Sequence, residues 1–205
     1  MPDYELEHAL QAAGYSLVCG VDEAGRGPLA GPVCAAAVIL KPDAVFDGLD
    51  DSKKLSEKKR ALLFDKICEQ AIAYGVALVD NRRIDTINIL NATFEAMEQA
   101  VVSMHVAPDY ILIDGNRLPE HLCAPARAVV KGDAKSMSVA AASVLAKVTR
   151  DRLMSQMDRQ YPQYQFAKHK GYGTKLHVEM LHTYGPCSIH RRSFLKNILP
   201  GVYTS

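Results

Sequence analysis

The chain has 205 residues, 48% of them hydrophobic and 23% charged, with a net charge of +1. That composition fits one globular domain with a substantial core, and it excludes both a disordered chain and the strongly basic profile of many nucleic-acid-binding domains. Apolar runs such as 34–40 and 76–79 are far too short to cross a bilayer, and a start carrying Asp3, Glu5 and Glu7 lacks the basic flank of a signal peptide, so a cytoplasmic protein is expected.

In chain order, the pattern predicts strands at about 15–22 and 32–40, a helix at 56–72, a strand at 74–80, a helix at 86–106, and strands at 110–114 and 127–130. Helices at 136–160, 174–184 and 191–199 follow. Val139, Ala142, Leu145, Ala146, Thr149, Leu153 and Met157 recur at three and four in the first of these, with alanines small enough for close approach to a sheet. Thr174 caps the next helix and Gly185-Pro186 stops it. The expectation is an α/β fold with a five-stranded sheet core over 1–160 and a helical appendage over 161–205, forming a single domain overall.

Five scattered cysteines without a CxxC pair read as reduced thiols. His177 and His182, five apart, do not form a zinc face and read as surface or cap histidines. Met97, Met104, Met154 and Met157 fall at core positions of helices. Positive charge is bunched at 53–54, 58–60, 168–170 and 190–192, each bunch reading on its own as a solvated face.

The chemistry is concentrated in Gly20-Val21-Asp22-Glu23-Ala24-Gly25-Arg26-Gly27. An apolar strand that ends on two carboxylates holds acids at a sheet edge. Gly25 and Gly27 let backbone approach a ligand closely, and the planar fork of Arg26 suits phosphate. Two further acids lie at element ends, Asp114 after Tyr110-Ile111-Leu112-Ile113 and Asp133 just before the small-residue helix. Carboxylates alone suit the hard cations Mg²⁺ or Mn²⁺, and two such ions promote in-line phosphoryl displacement. The residues therefore point to a metal-dependent phosphodiesterase, with a DNA nuclease and a noncatalytic hybrid-binding module as alternatives.

Six motifs together make the sequence resemble ribonuclease HII, the type 2 ribonuclease H family: 20–33 (GVDEAGRGPLAGPV), 51–56 (DSKKLS), 113–115 (IDG), 131–133 (KGD), 140–151 (AAASVLAKVTRD) and 169–174 (HKGYGT). The resemblance implies a ribonuclease H-like mixed sheet flanked by helices. It also implies cleavage of RNA in RNA/DNA hybrids and incision 5′ to ribonucleotides embedded in duplex DNA, leaving 5′-phosphate and 3′-hydroxyl ends, with a role in ribonucleotide removal. Two Mn²⁺ or Mg²⁺ ions are implied, held by Asp22, Glu23, Asp114 and Asp133 with Asp22 bridging. By the same resemblance Gly25, Arg26 and Gly27 sense the ribose 2′-hydroxyl and Tyr172 stacks on the neighbouring deoxyribose. The same resemblance implies that Lys53 and Lys170 contact phosphate and that Asp151 is a cap or a support of the site. The tail carries no evident sliding-clamp peptide, and a monomer is expected.

Overall fold

The computed structural model describes residues 1–49, 52 and 55–200. Its sheet has five strands: β1 (Val18–Ala24), β2 (Val33–Leu40), β3 (Ala71–Val79), β4 (Tyr110–Asp114) and β5 (Ala126–Val129), in the spatial order β3-β2-β1-β4-β5. β1 is central, antiparallel to β2 and parallel to β4, so the sheet is mixed. The helices are α1 (Glu5–Ala12), α2 (Glu57–Gln70), α3 (Asn81–Ser103), α4 (Met137–Gln160), α5 (Phe166–His169) and α6 (Lys175–Tyr184).

β2 is buried along its whole length, and its eight apolar residues serve two cores. Cys34, Ala36 and Val38 face the α4 side with Ala140, Val144 and Leu145, while Val33, Ala35 and Ile39 face the α3 side with Ala96, Met97 and Ala100. Such a strand reads as a continuous hydrophobic run because both faces are covered. The start of α4 rests directly on β1: a Cβ at Gly20 would lie 2.1 Å from the Ser138 carbonyl carbon, so only glycine admits this approach. That contact fixes the strand carrying the acids against the helix that follows Asp133. A third cluster (Met154, Tyr164, Phe166, Leu181, Leu195) joins the far end of α4 to the C-terminal segment.

Several sequence expectations need correction. The helix expected at 191–199 is absent; Arg192–Phe194 makes a single 3₁₀ turn, because the preceding Arg191 is drawn into the protein by its side chain and by its amide, which donates to the Leu29 carbonyl. α1 was not expected; its Glu7 is buried and accepts hydrogen bonds from the hydroxyls of Ser136 and Ser138 and the Ser138 amide. α3 starts earlier than expected, at the Asp80 cap, and is broken at Asn88 (φ 68°), whose side chain caps the restart at Leu90 and Asn91. The cysteines are free thiols, and Met97, Met104 and Met154 are core residues.

Candidate active site

The parallel register pairs Val21 with Ile113, which brings the next residues of the two strands, Asp22 and Asp114, side by side at the same sheet edge. β1 runs on through Ala24, so Asp22 and Glu23 lie within its last turn of pleat and not beyond its end. Asp22 is buried. Desolvation first, then the neighbouring charges of Glu23 and Asp114, push its carboxyl well above the usual range, although the Ser143 hydroxyl and the Glu23 amide donate to it. A buried carboxylate crowded by two others is an arrangement that a cation would relieve.

Asp114 Oδ1 accepts from the Gly132 amide at 2.6 Å, which ties β4 to the 3₁₀ turn Gly132–Ala134 and so to Asp133, itself buried. Four acids from three chain segments are thus linked through one strand pair and one hydrogen bond. As their side chains are placed, no group of three or more His, Cys, Asp or Glu among the described residues is arranged to hold a metal ion. Oxygen donors at the edge of a sheet still fit Mg²⁺ or Mn²⁺, because Mg²⁺ keeps several waters and takes only one or two carboxylates plus substrate phosphate. A cleft of about 320 Å³ opens here, lined by Glu23, Arg26, Asp114, Gly115, Asn116 and Arg117 among others.

The glycine-flanked turn follows directly. Gly25 has φ +95°, and a Cβ there would lie 2.0 Å from Arg150 Nε, so the turn is both left-handed and pressed against a buried arginine. Arg26 is half-exposed and sits 3.4 Å from Glu23 Oε1. A Cβ at Gly27 would meet the Tyr172 ring at 3.7 Å, which places the exposed Tyr172 over this turn. A scan of the chain against protein-family models matches residues 19–197 to the one described as Ribonuclease HII.

The chain belongs to the ribonuclease HII family. A curated relative named Ribonuclease HII from Caldicellulosiruptor saccharolyticus is 56% identical over 196 residues, covering 96% of this chain and 95% of its own. Among solved structures, ribonuclease H2 from Pyrococcus horikoshii OT3 superposes with a TM-score of 0.73 at 30% identity, covering 89% of this chain and 97% of that one. The ribonuclease HII in a complex with PCNA from Archaeoglobus fulgidus gives 0.73 at 26% identity, covering 86% and 94%. A ribonuclease H-like fold and a ribonuclease H enzyme are therefore established.

Other expected site residues fall differently. Lys170 is half-buried, with its amine on Ser155 Oγ at 2.9 Å and its carbonyl on Arg150. Asp151 pairs with Lys147 at 2.8 Å one turn back on α4, beside a groove with Arg60, Arg152 and Arg159. Lys53 lies outside the described residues.

Sequence reasoning missed a buried polar layer beneath Tyr172. His177, expected at the surface, is fully buried; its Nε2 is 2.9 Å from His190 Nε2 and its Nδ1 is 3.0 Å from the Tyr172 carbonyl. The 190–192 bunch, read as a solvated face, buries His190 and Arg191 and exposes Arg192 alone. Nothing in the local pattern separates a buried His-Arg from a surface one; the signal lies in the carbonyls of the distant turn that they meet.

Proposed function

We propose that this chain is an endoribonuclease that hydrolyses the RNA strand of RNA/DNA hybrids and incises 5′ to ribonucleotides embedded in duplex DNA. The products carry 5′-phosphate and 3′-hydroxyl ends, and the work is ribonucleotide removal during replication and repair in the cytoplasm. The observation that carries this reading is the buried Asp22 beside Glu23 and Asp114, a few residues from a positive-φ turn covered by an exposed tyrosine.

Asp22, Glu23, Asp114 and Asp133 would hold two Mn²⁺ or Mg²⁺ ions. When bound, these supply Lewis acidity to the attacking water and to the leaving oxygen. The protein does the selection. Main-chain groups of Gly25, Arg26 and Gly27 read the 2′-hydroxyl, the one group that tells RNA from DNA and that both donates and accepts. Tyr172 stacks on the adjoining sugar, Arg26 balances the charge of Glu23 until phosphate arrives, and Lys53 and Lys170 meet the backbone. Residues 161–205 complete the substrate surface of the 1–160 core, a reading supported by Gly171 and Ile189, which accept main-chain hydrogen bonds from Leu29 and Gly31 just after the turn. We read the protein as a monomer; among the described residues no helix is long and apolar enough to span a membrane.

The test compares two duplexes that differ in one ribose. Cutting with Mn²⁺ or Mg²⁺ only 5′ to the ribose is expected, and equal cutting of both duplexes would replace this reading with a DNA nuclease.

A further inference from the structure

Arg191 is fully buried, yet among the described residues none of the hydrogen bonds its guanidinium makes goes to a carboxylate. Its Nη2 donates to the Gly25 carbonyl at 2.6 Å, its Nη1 to the Arg26 carbonyl at 2.8 Å and its Nε to the Gly31 carbonyl at 2.9 Å. The nearby Asp85 spends its oxygens on the Arg192 amide and on the amide and hydroxyl of Ser193. Burying a guanidinium costs free energy unless its donors are satisfied, and a hydrophobic residue would fill the same space without that cost. What a planar fork adds is fixed relative placement of the oxygens it grips. Here two of those oxygens belong to Gly25 and Arg26, the first two residues of the turn, and the third to Gly31 beyond it.

The grip is anchored from behind. The Arg191 amide donates to the Leu29 carbonyl at 2.8 Å, its neighbour His190 bridges to Ala30, and its guanidinium lies 5.2 Å from the Phe194 ring centre. Arg150 also presses on Gly25 and bonds the carbonyls of Ala30, Pro32 and Lys170.

We infer that Arg191 is a positioning residue for ribose discrimination: by holding the carbonyls of Gly25 and Arg26 it aims the main chain of the turn at the 2′-hydroxyl. A carbonyl gripped from inside turns its peptide plane, and the amide in that same plane then points outward in one fixed direction. The inference rests on the proposed reading of this turn as the ribose sensor.

Arg191→Lys tests it, since lysine keeps the charge and loses the fork. The readout is the KM of a one-ribose duplex set against the inhibition constant of the same duplex without ribose, which destabilisation of the whole protein would not separate. The native protein is expected to favour the ribose duplex, and Arg191→Lys to lose about tenfold of that preference while all-DNA inhibition stays unchanged. A folded Arg191→Lys protein with the native preference overturns the inference alone. A native protein without preference overturns the sensor reading along with it. Should Arg191→Lys not fold, Phe194→Leu leaves the arginine in place on a weakened platform; a reduced preference supports the inference and an unchanged one overturns it.

Discussion

Acidification is expected to destabilise this protein through the histidines beneath Tyr172, and the hydrogen-bond directions show why. The Tyr172 carbonyl can only accept, so His177 Nδ1 carries a proton and its Nε2 is bare; that nitrogen accepts from His190 Nε2–H, leaving His190 Nδ1 to accept from the Cys187 amide at 2.9 Å. One neutral chain of donors results. A further proton on either ring sets two N–H groups face to face. Burial is the main cause that lowers both rings to about 4, reinforced by the charge of His169 on each and of His177 on His190.

Against an unfolded value of about 6.5, the unfolded chain takes up protons first as pH falls, so the stability is complete above about 6.5 and is lost down to about 4. At pH 5 the loss is about 2 kcal/mol for each ring, a large share of the 5–15 kcal/mol typical of a domain. Asp22 acts with the opposite sign, because a raised carboxyl favours the folded state as pH falls. Urea unfolding at pH 7.5, 6 and 5 in an Asp22→Asn background therefore isolates the histidines. A stability that is flat across that range, or ring titrations near 6.5 by NMR, would refute the reasoning.

Three further expectations follow from the same geometry. Gly25→Ala puts a methyl 2.0 Å from Arg150 Nε at φ +95°, so the turn must move; ribose preference in the two-duplex assay should collapse, and a native preference would count against a rigid turn. Tyr172→Ala removes an exposed ring, so melting should change by under about 0.5 kcal/mol while KM for the one-ribose duplex rises; unchanged KM would contradict the stacking role. Glu7→Ala leaves the buried Ser138 amide without its acceptor and takes one acceptor from the Ser136 and Ser138 hydroxyls, and should cost roughly 1–3 kcal/mol in urea unfolding; a loss below about 0.5 kcal/mol would show that α1 contributes little to the start of α4.

The sheet, its long helix α4 and the acids at strand ends were legible because each rests on local periodicity. An apolar run that gives way to Asp22-Glu23 near the end of its strand, and a second that ends on Asp114, need only parallel pairing to meet, and the register supplies it. What stayed hidden depends on distant partners. His190 and Arg191 look like surface charge until the carbonyls of Gly25, Arg26 and Gly31 are brought to them, and the helix expected over that stretch gives way because those contacts need an extended approach. Glu7 likewise reads as a polar start to the chain, and is instead a buried acceptor for residues about 130 positions away. The close approach of Gly20 to α4 left no periodic mark either, since a glycine in a strand has several explanations.

If a divalent cation relieves the crowding of Asp22 by Glu23 and Asp114, calorimetric titration of Mn²⁺ into the native protein and into Asp22→Asn will separate the two, with the one-ribose duplex as the activity readout. The native protein is expected to bind Mn²⁺ and to cut, and an Asp22→Asn protein that folds and melts at least as high without metal is expected to lose both. Undiminished Mn²⁺ binding and ribose-specific cutting by folded Asp22→Asn would contradict this expectation.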